Sequence, residues 1–142
     1  MGDRCSVEIV CRKHDAKHFD EIGFVEAEWG DEPEHLARMF CEQANYGAST
    51  ELEVLAGKGI VFIGASGVGD EYPAGVFASD GKGYAEAVTV SDGIEAKPIA
   101  EIGDGGSADS KTLALIKRYY ETLKAAKKAL GLPARQARRK RK

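Results

Sequence analysis

Polar and apolar positions alternate from the start of the chain. Arg4-Cys-Ser-Val-Glu-Ile-Val-Cys11 puts Cys5, Val7, Ile9 and Cys11 on one face, and only Val10 interrupts the polar face. This period of two predicts a half-buried strand. Residues 14–22 read as a short helix with Phe19 and Ile22 on a shared face, stopped by Gly23. Phe24 to Trp29 suits a short extended segment ending at Gly30. The next stretch fits two periods. Asp31 and Glu34 have capping-box spacing around Pro33, and Leu36, Met39 and Phe40 fit one helical face, so local signals favour a helix. Leu36, Arg38, Phe40 and Glu42 against Ala37, Met39, Cys41 and Gln43 also fit the two faces of a strand. Asn45-Tyr46-Gly47 ends the element in either case.

Ser49 or Thr50 is placed to cap a short helix running to Ala56, with Gly57 and Gly59 behind it. From residue 60 the pattern becomes a meander. Ile60–Ile63 is short, apolar and bounded by glycines, as a buried strand would be. Gly75–Ser79, Gly83–Val90 and Ile94–Ile102 follow as strands, separated by Asp80-Gly81-Lys82 and Ser91-Asp92-Gly93. Asp-Gly between such segments is a hairpin signal, and Pro98 demotes the last strand to an edge. Asp104–Ser107 reads as a linker. Asp109 or Ser110 then caps a long helix with Leu113, Ile116, Tyr120, Leu123 and Leu130 at helical spacing, closed by Gly131 and Pro133. The expected fold is one α+β domain over residues 1–131: a mainly antiparallel sheet of five or six strands, short helices and a long C-terminal helix. Residues 132–142 lack an apolar anchor and are expected to form a disordered basic tail.

A chain of 142 residues, 43% hydrophobic and 30% charged, has the composition of a globular domain, not of a disordered one. Three cysteines cannot all pair within one chain, which favours a reducing cytoplasm. No apolar run reaches the roughly 18 residues of a membrane span, and the charged N-terminus has no signal-peptide core.

Charge is unevenly distributed. Residues 1–110 hold 8 Lys/Arg against 22 Asp/Glu, whereas residues 111–142 hold 12 Lys/Arg and one acid, Glu121. An acidic body attracts basic protein surfaces and a cationic tail attracts phosphates. The plainer reading is that the body acids confer solubility and the basic helix packs against them. Asp31, Glu32, Glu34, Asp70 and Glu71 cluster in expected loops and are the candidate contacts to a basic partner. Lys127, Lys128, Arg135, Arg138, Arg139, Lys140, Arg141 and Lys142 are the candidates for weak, non-specific nucleic-acid contact, since no aromatic lies among the tail cations for bases to stack on.

The other motifs carry less chemistry. Cys11, His14 and His18 form C-x2-H-x3-H, but Cys5 and Cys11 fall on the apolar strand face, where cysteine serves as a small hydrophobe; no metal site and no cofactor is assigned. Gly64-Ala-Ser-Gly67-Val-Gly69 lacks the Gly-Lys-Ser/Thr of a phosphate loop and runs into Asp70-Glu71. Cys41 with His35, and Ser66 without a nucleophile-elbow spacing, make no catalytic set.

Asp3-Arg4-Cys5-Ser6-Val7, Glu42-Gln-Ala-Asn45-Tyr46-Gly47, Phe62-Ile-Gly64, Gly67-Val-Gly69-Asp-Glu71-Tyr72 and Phe77-Ala-Ser-Asp80-Gly81 occur in an order that resembles a group of small bacterial proteins carried by phages and other mobile elements. The resemblance covers about residues 3–125 and transfers no functional residue. It implies that 36–44 is a strand, and it implies an accessory protein that binds a host factor, anti-defence and anti-CRISPR-like inhibitors included. The expected function is therefore a non-enzymatic module that binds a basic host protein surface through its acidic body. A nucleic-acid-associated accessory protein is the alternative, and a small metal-dependent enzyme comes third.

Overall fold

Alternation in the first residues is realised as β1 (Arg4–Arg12), which lies in the middle of the sheet. The computed structural model describes residues 4–28, 30, 32–45, 48–69, 73–91, 93–100, 106 and 109–133. Around β1 stand β2 (Val25–Glu26), β3 (Leu36–Asn45), β4 (Val61–Ser66), β5 (Gly75–Asp80) and β6 (Tyr84–Val88). They form one six-stranded antiparallel sheet in the order β2-β3-β1-β4-β5-β6. Three α-helices among the described residues accompany it: α1 (Ala16–Asp20), α2 (Ser49–Gly57) and α3 (Ser110–Leu130). This is the α+β arrangement that the sequence predicts.

The sheet divides the core in two. Cys5, Val7, Ile9 and Cys11 are all buried, and the last three pack with Phe19 of α1 and with Leu52, Leu55 and Ala56 of α2. Phe24, Phe19, Phe62 and Phe77 form a chain of edge-on rings on this first face, with centroids 6.0, 5.4 and 6.1 Å apart in turn. Edge-to-face geometry places the positive ring edge on the negative face of its neighbour. Gly64 makes room for this chain, because a Cβ there would stand 2.5 Å from both Phe77 and the Glu8 carbonyl oxygen. On the second face Val10, Val61, Ile63, Ala65, Val76 and Ala78 meet Tyr119, Ala126 and Leu130 of α3.

Four expectations change. The helix favoured locally over 36–44 is instead β3, preceded by a turn in which Leu36 N–H donates to Pro33 C=O. The alternation decides the outcome: Ala37 and Met39 enter the first core, Leu36 the second, and both strand edges are paired. A helix here would bury one stripe and leave β1 without its neighbour. Neither Ser49 nor Thr50 caps α2, whose N-cap is Ala48 in the left-handed region at φ 58° with no side-chain bond. The expected strand Ile94–Ile102 is reduced to a bridge between Thr89 and Pro98, with Ile99 N–H bonded to Val88 C=O; residues 101 and 102 lie outside the described set. Finally, α3 keeps its expected face only in part: Leu130 is buried and Ile116 and Leu123 are half-buried, but Leu113 and Tyr120 are exposed, and Tyr119, Thr122 and Ala126 take the remaining buried positions.

Turn chemistry holds where it was expected. Asp80 Oδ1 accepts from the Lys82 and Gly83 amides, closing the β5–β6 hairpin over Gly81 at φ 89°. Asp109 caps α3 through the Thr112 amide, and Gly131 ends it at φ 76°. The last carbonyls of α3 are held from the sheet: Arg12 Nη2 donates to Ala129 C=O at 3.2 Å, and His35 Nε2 lies 2.8 Å from Leu130 C=O. Cationic or donor groups at a helix C-terminus meet its partial negative charge and its unpaired carbonyls.

Candidate functional site

Two charged faces and one ion cluster are the features with potential for recognition. The clearest is the outer surface of α3. Because Tyr119, Thr122, Ala126 and Leu130 turn inward, Lys111, Lys117, Arg118, Lys124 and Lys128 are left exposed, with Lys127 half-buried. Six cations against the single acid Glu121 occupy this helix. Among the described residues no ion pair involves any of them. Among the described residues the basic helix therefore makes no pairing with the body acids. Tyr120 is 46% exposed and stands between Lys117 and Lys124 at helical spacing. The sequence reading missed this aromatic by assigning it to the core, and the adjacent Tyr119, which takes the core position, left no sequence signal to separate the two.

The opposite layer is acidic. Residues 13–28, spanning α1 and β2, hold two cations and five acids, and α2 adds Glu51 and Glu53. Asp20, Glu21, Glu26, Glu28, Glu51 and Glu53 are all exposed. The sheet thus separates layers of opposite charge, because α1 and α2 pack on its first face and α3 on its second.

Glu32 and Glu34 are the described members of the proposed acidic cluster; Asp31, Asp70 and Glu71 lie outside the described residues. Glu34 is exposed. Glu32 is not open to a partner in the way expected of a loop acid. Its Oε2 accepts from Arg38 Nη2 at 2.5 Å and from Nε at 3.1 Å, while Arg38 Nη1 donates to Glu8. The three side chains are only 15–25% exposed. Burial opposes the guanidinium charge, but hydrogen bonds and charges from Glu32 and Glu8 outweigh it and raise the Arg38 pKa above its ordinary value. Of the proposed cationic set, Lys127 and Lys128 sit in the last turn of α3, and Arg135, Arg138, Arg139, Lys140, Arg141 and Lys142 lie outside the described residues.

The remaining motifs are dispersed. Cys11 is fully buried and its thiol is pushed up to about 12, first by burial and then by the charges of Asp15 and Glu26. His14 is exposed, with Nε2 3.7 Å from Asp15. No group of three or more His, Cys, Asp or Glu side chains among the described residues is placed to hold a metal ion. Cys41 packs toward the first core, whereas His35 turns to the end of α3, so that pair does not meet. The Gly67 amide, which a phosphate loop would aim at a ligand, donates to Ser6 C=O. No helix among the described residues is long and apolar enough to cross a membrane. Comparison with protein-family models, with curated proteins and with solved structures finds no match to this chain.

Proposed function

We propose that the protein is a non-enzymatic interaction module whose acidic layer engages a basic protein surface, a host factor of the kind implied by the resemblance to proteins of mobile elements. The observation that carries this reading is the exposed acidic set on α1, β2 and α2, separated from the α3 cations by the thickness of the sheet. Exposed charge of one sign raises the encounter rate with a partner of the other sign and selects against like-charged surfaces. The test is capture of the partner from the native host, followed by association kinetics against wild type and Asp20→Lys/Glu21→Lys/Glu51→Lys/Glu53→Lys. A basic partner whose association slows with salt and with the reversal supports the reading. An on-rate indifferent to both overturns it.

The unpaired cations of α3 favour a second reading, binding of nucleic acid through α3 and the basic segment behind it. Five exposed cations on the helix set a ceiling on its phosphate contacts, giving a salt slope of at most about 4–5 for α3 alone. Fluorescence anisotropy with a labelled duplex should lose that slope in Lys117→Glu/Arg118→Glu/Lys124→Glu/Lys128→Glu. Tight, sequence-selective binding that survives these changes would place the nucleic-acid contact elsewhere.

A further inference from the structure

The cations of α3 are not spread evenly round the helix. Steps of three and four from Leu113 lead to Lys117, Tyr120, Lys124 and then Lys127 and Lys128, so these residues share one stripe of its surface. Lys117, Lys124 and Lys128 are exposed and Lys127 is half-buried, while Tyr119, Ala126 and Leu130 take the side that meets the sheet. Lys111 and Arg118 fall outside the stripe by the same spacing. The one acid of the helix, Glu121, flanks it and forms no ion pair with its cations. Lys117 and Lys124 stand about 10 Å apart along the axis, with Tyr120 between them.

Tyr120 gives this track a second chemistry. It is 46% exposed, and its ring meets Tyr119 edge-on, with centroids 5.5 Å apart and planes at 60°. An edge-on neighbour leaves at least one face of the Tyr120 ring uncovered. Tyr119 is 2% exposed, so the ring on which Tyr120 rests is itself held by the core. A side chain already positioned loses less freedom when a partner stacks on it.

Charge alone admits any polyanion, and the ring narrows the choice. A duplex keeps its bases paired and stacked, with their faces closed to a side chain on a helix surface. A single strand offers a free face at every nucleotide, and a cationic track with an aromatic set into it holds such strands through phosphates and stacked bases together. A lipid surface needs a broad apolar face beside the cations. The buried side of α3 is covered by the sheet, and on the stripe Leu113 is the one exposed large aliphatic residue.

We propose that this stripe binds single-stranded nucleic acid, one base stacking on Tyr120 while Lys117 and Lys124 hold the flanking phosphates. The proposal rests on the second reading above, that α3 contacts nucleic acid, and adds the base contact to it. Fluorescence anisotropy of the full-length protein decides the matter with three labelled probes: an oligothymidylate of twelve nucleotides, an abasic strand of the same length, and a duplex of twelve base pairs. Wild type should bind the oligothymidylate roughly five- to hundredfold more tightly than the abasic strand, the range for one stacked base. Tyr120→Leu keeps an apolar helix former and removes the ring. It should lower oligothymidylate affinity to the abasic level, with little change in duplex affinity or in the salt slope. Tyr120→Phe keeps the ring and should keep the preference. Lys117→Glu/Lys124→Glu should weaken all three probes and reduce the single-strand slope by about 1.4, two contacts at roughly 0.7 each. Equal wild-type affinity for the oligothymidylate and the abasic strand, a preference that survives Tyr120→Leu, or an equal loss on the duplex would overturn the stacking and leave the reading of the cations standing. Slopes unchanged by Lys117→Glu/Lys124→Glu on every probe would overturn both.

Discussion

Replacing Arg38 with Met tests the ion cluster on the second face of the sheet. The substitution keeps most of the aliphatic stem and removes the guanidinium that joins Glu8 to Glu32. An exposed pair contributes at most about 1 kcal/mol, and breaking a fully buried one costs roughly 3–5 kcal/mol. These side chains are 15–25% exposed, between those limits, and two carboxylates are left facing one another. Discounting for solvent gives an expected loss of about 2–3 kcal/mol, or roughly 6–12 °C in melting temperature for a domain of this size. Urea unfolding followed by circular dichroism measures it, with an unchanged denaturant slope showing that compactness is preserved. Adding Glu8→Gln and Glu32→Gln to Arg38→Met should recover part of the loss, because no uncompensated charge then remains. The reasoning fails if Arg38→Met costs less than about 0.5 kcal/mol, the level of an ordinary surface change, or if the triple variant is less stable than Arg38→Met alone.

Other expectations rest on separate contacts. Gly64→Ala should cost more than about 3 kcal/mol in the same urea assay, since its Cβ would meet Phe77 and the backbone of β1 at 2.5 Å and neither can withdraw. Arg12→Ala/His35→Ala should lose roughly 1–2 kcal/mol and speed hydrogen exchange in the last turn of α3, because Ala129 and Leu130 lose their side-chain partners. In native protein a thiol reagent should modify Cys41, which is half-buried, well before the fully buried Cys11. Stability should decline as pH rises above about 9: the unfolded chain ionises Cys11 near its ordinary value of 9.0, while the folded chain retains that proton up to about 12. Tyr119, raised above 10.0 by burial and then by Tyr120, acts in the same direction, and Tyr119→Phe should flatten the decline.

Much of the fold is legible because burial on one face of a strand writes itself as alternation. β1 shows this directly, and so do the Asp80-Gly81 hairpin and the Asp109 cap, where a local side-chain bond fixes the backbone. The region 31–45 was ambiguous for a physical reason. Local capping spacing competes with strand alternation there, and the contest is settled by β1 and β2, partners far from it in sequence. The face of α3 was partly misread because apolar residues exceed the positions the sheet can cover. Leu113, Leu115, Tyr119 and Tyr120 all compete, and the small residues Thr122 and Ala126 occupy the closest contact. Close approach of a helix to a sheet selects size as well as hydrophobicity, and a count of apolar positions does not register size.

The charged sites were legible in sign and not in availability. Counting acids and bases along the chain revealed the asymmetry, and the fold keeps it, placing the α3 cations and the α1–α2 acids on opposite faces of one sheet. Which charges remain open depends on pairing across space. Glu32 reads in sequence like Glu34, a loop acid beside Pro33, yet one is bound to Arg38 and the other is exposed. The difference arises because β3 carries Arg38 back beneath the loop that precedes it, opposite Val10 and beside Glu8 on β1. A helix over the same residues would not pair with β1, and the register that brings Arg38 beside Glu8 would be lost. The strand assignment of residues 36–45 therefore removes Glu32 from the recognition surface. Among the described residues it leaves Glu34 and the exposed acids of α1, β2 and α2 as candidate contacts, and a charge reversal confined to Glu32 should alter stability more than partner binding.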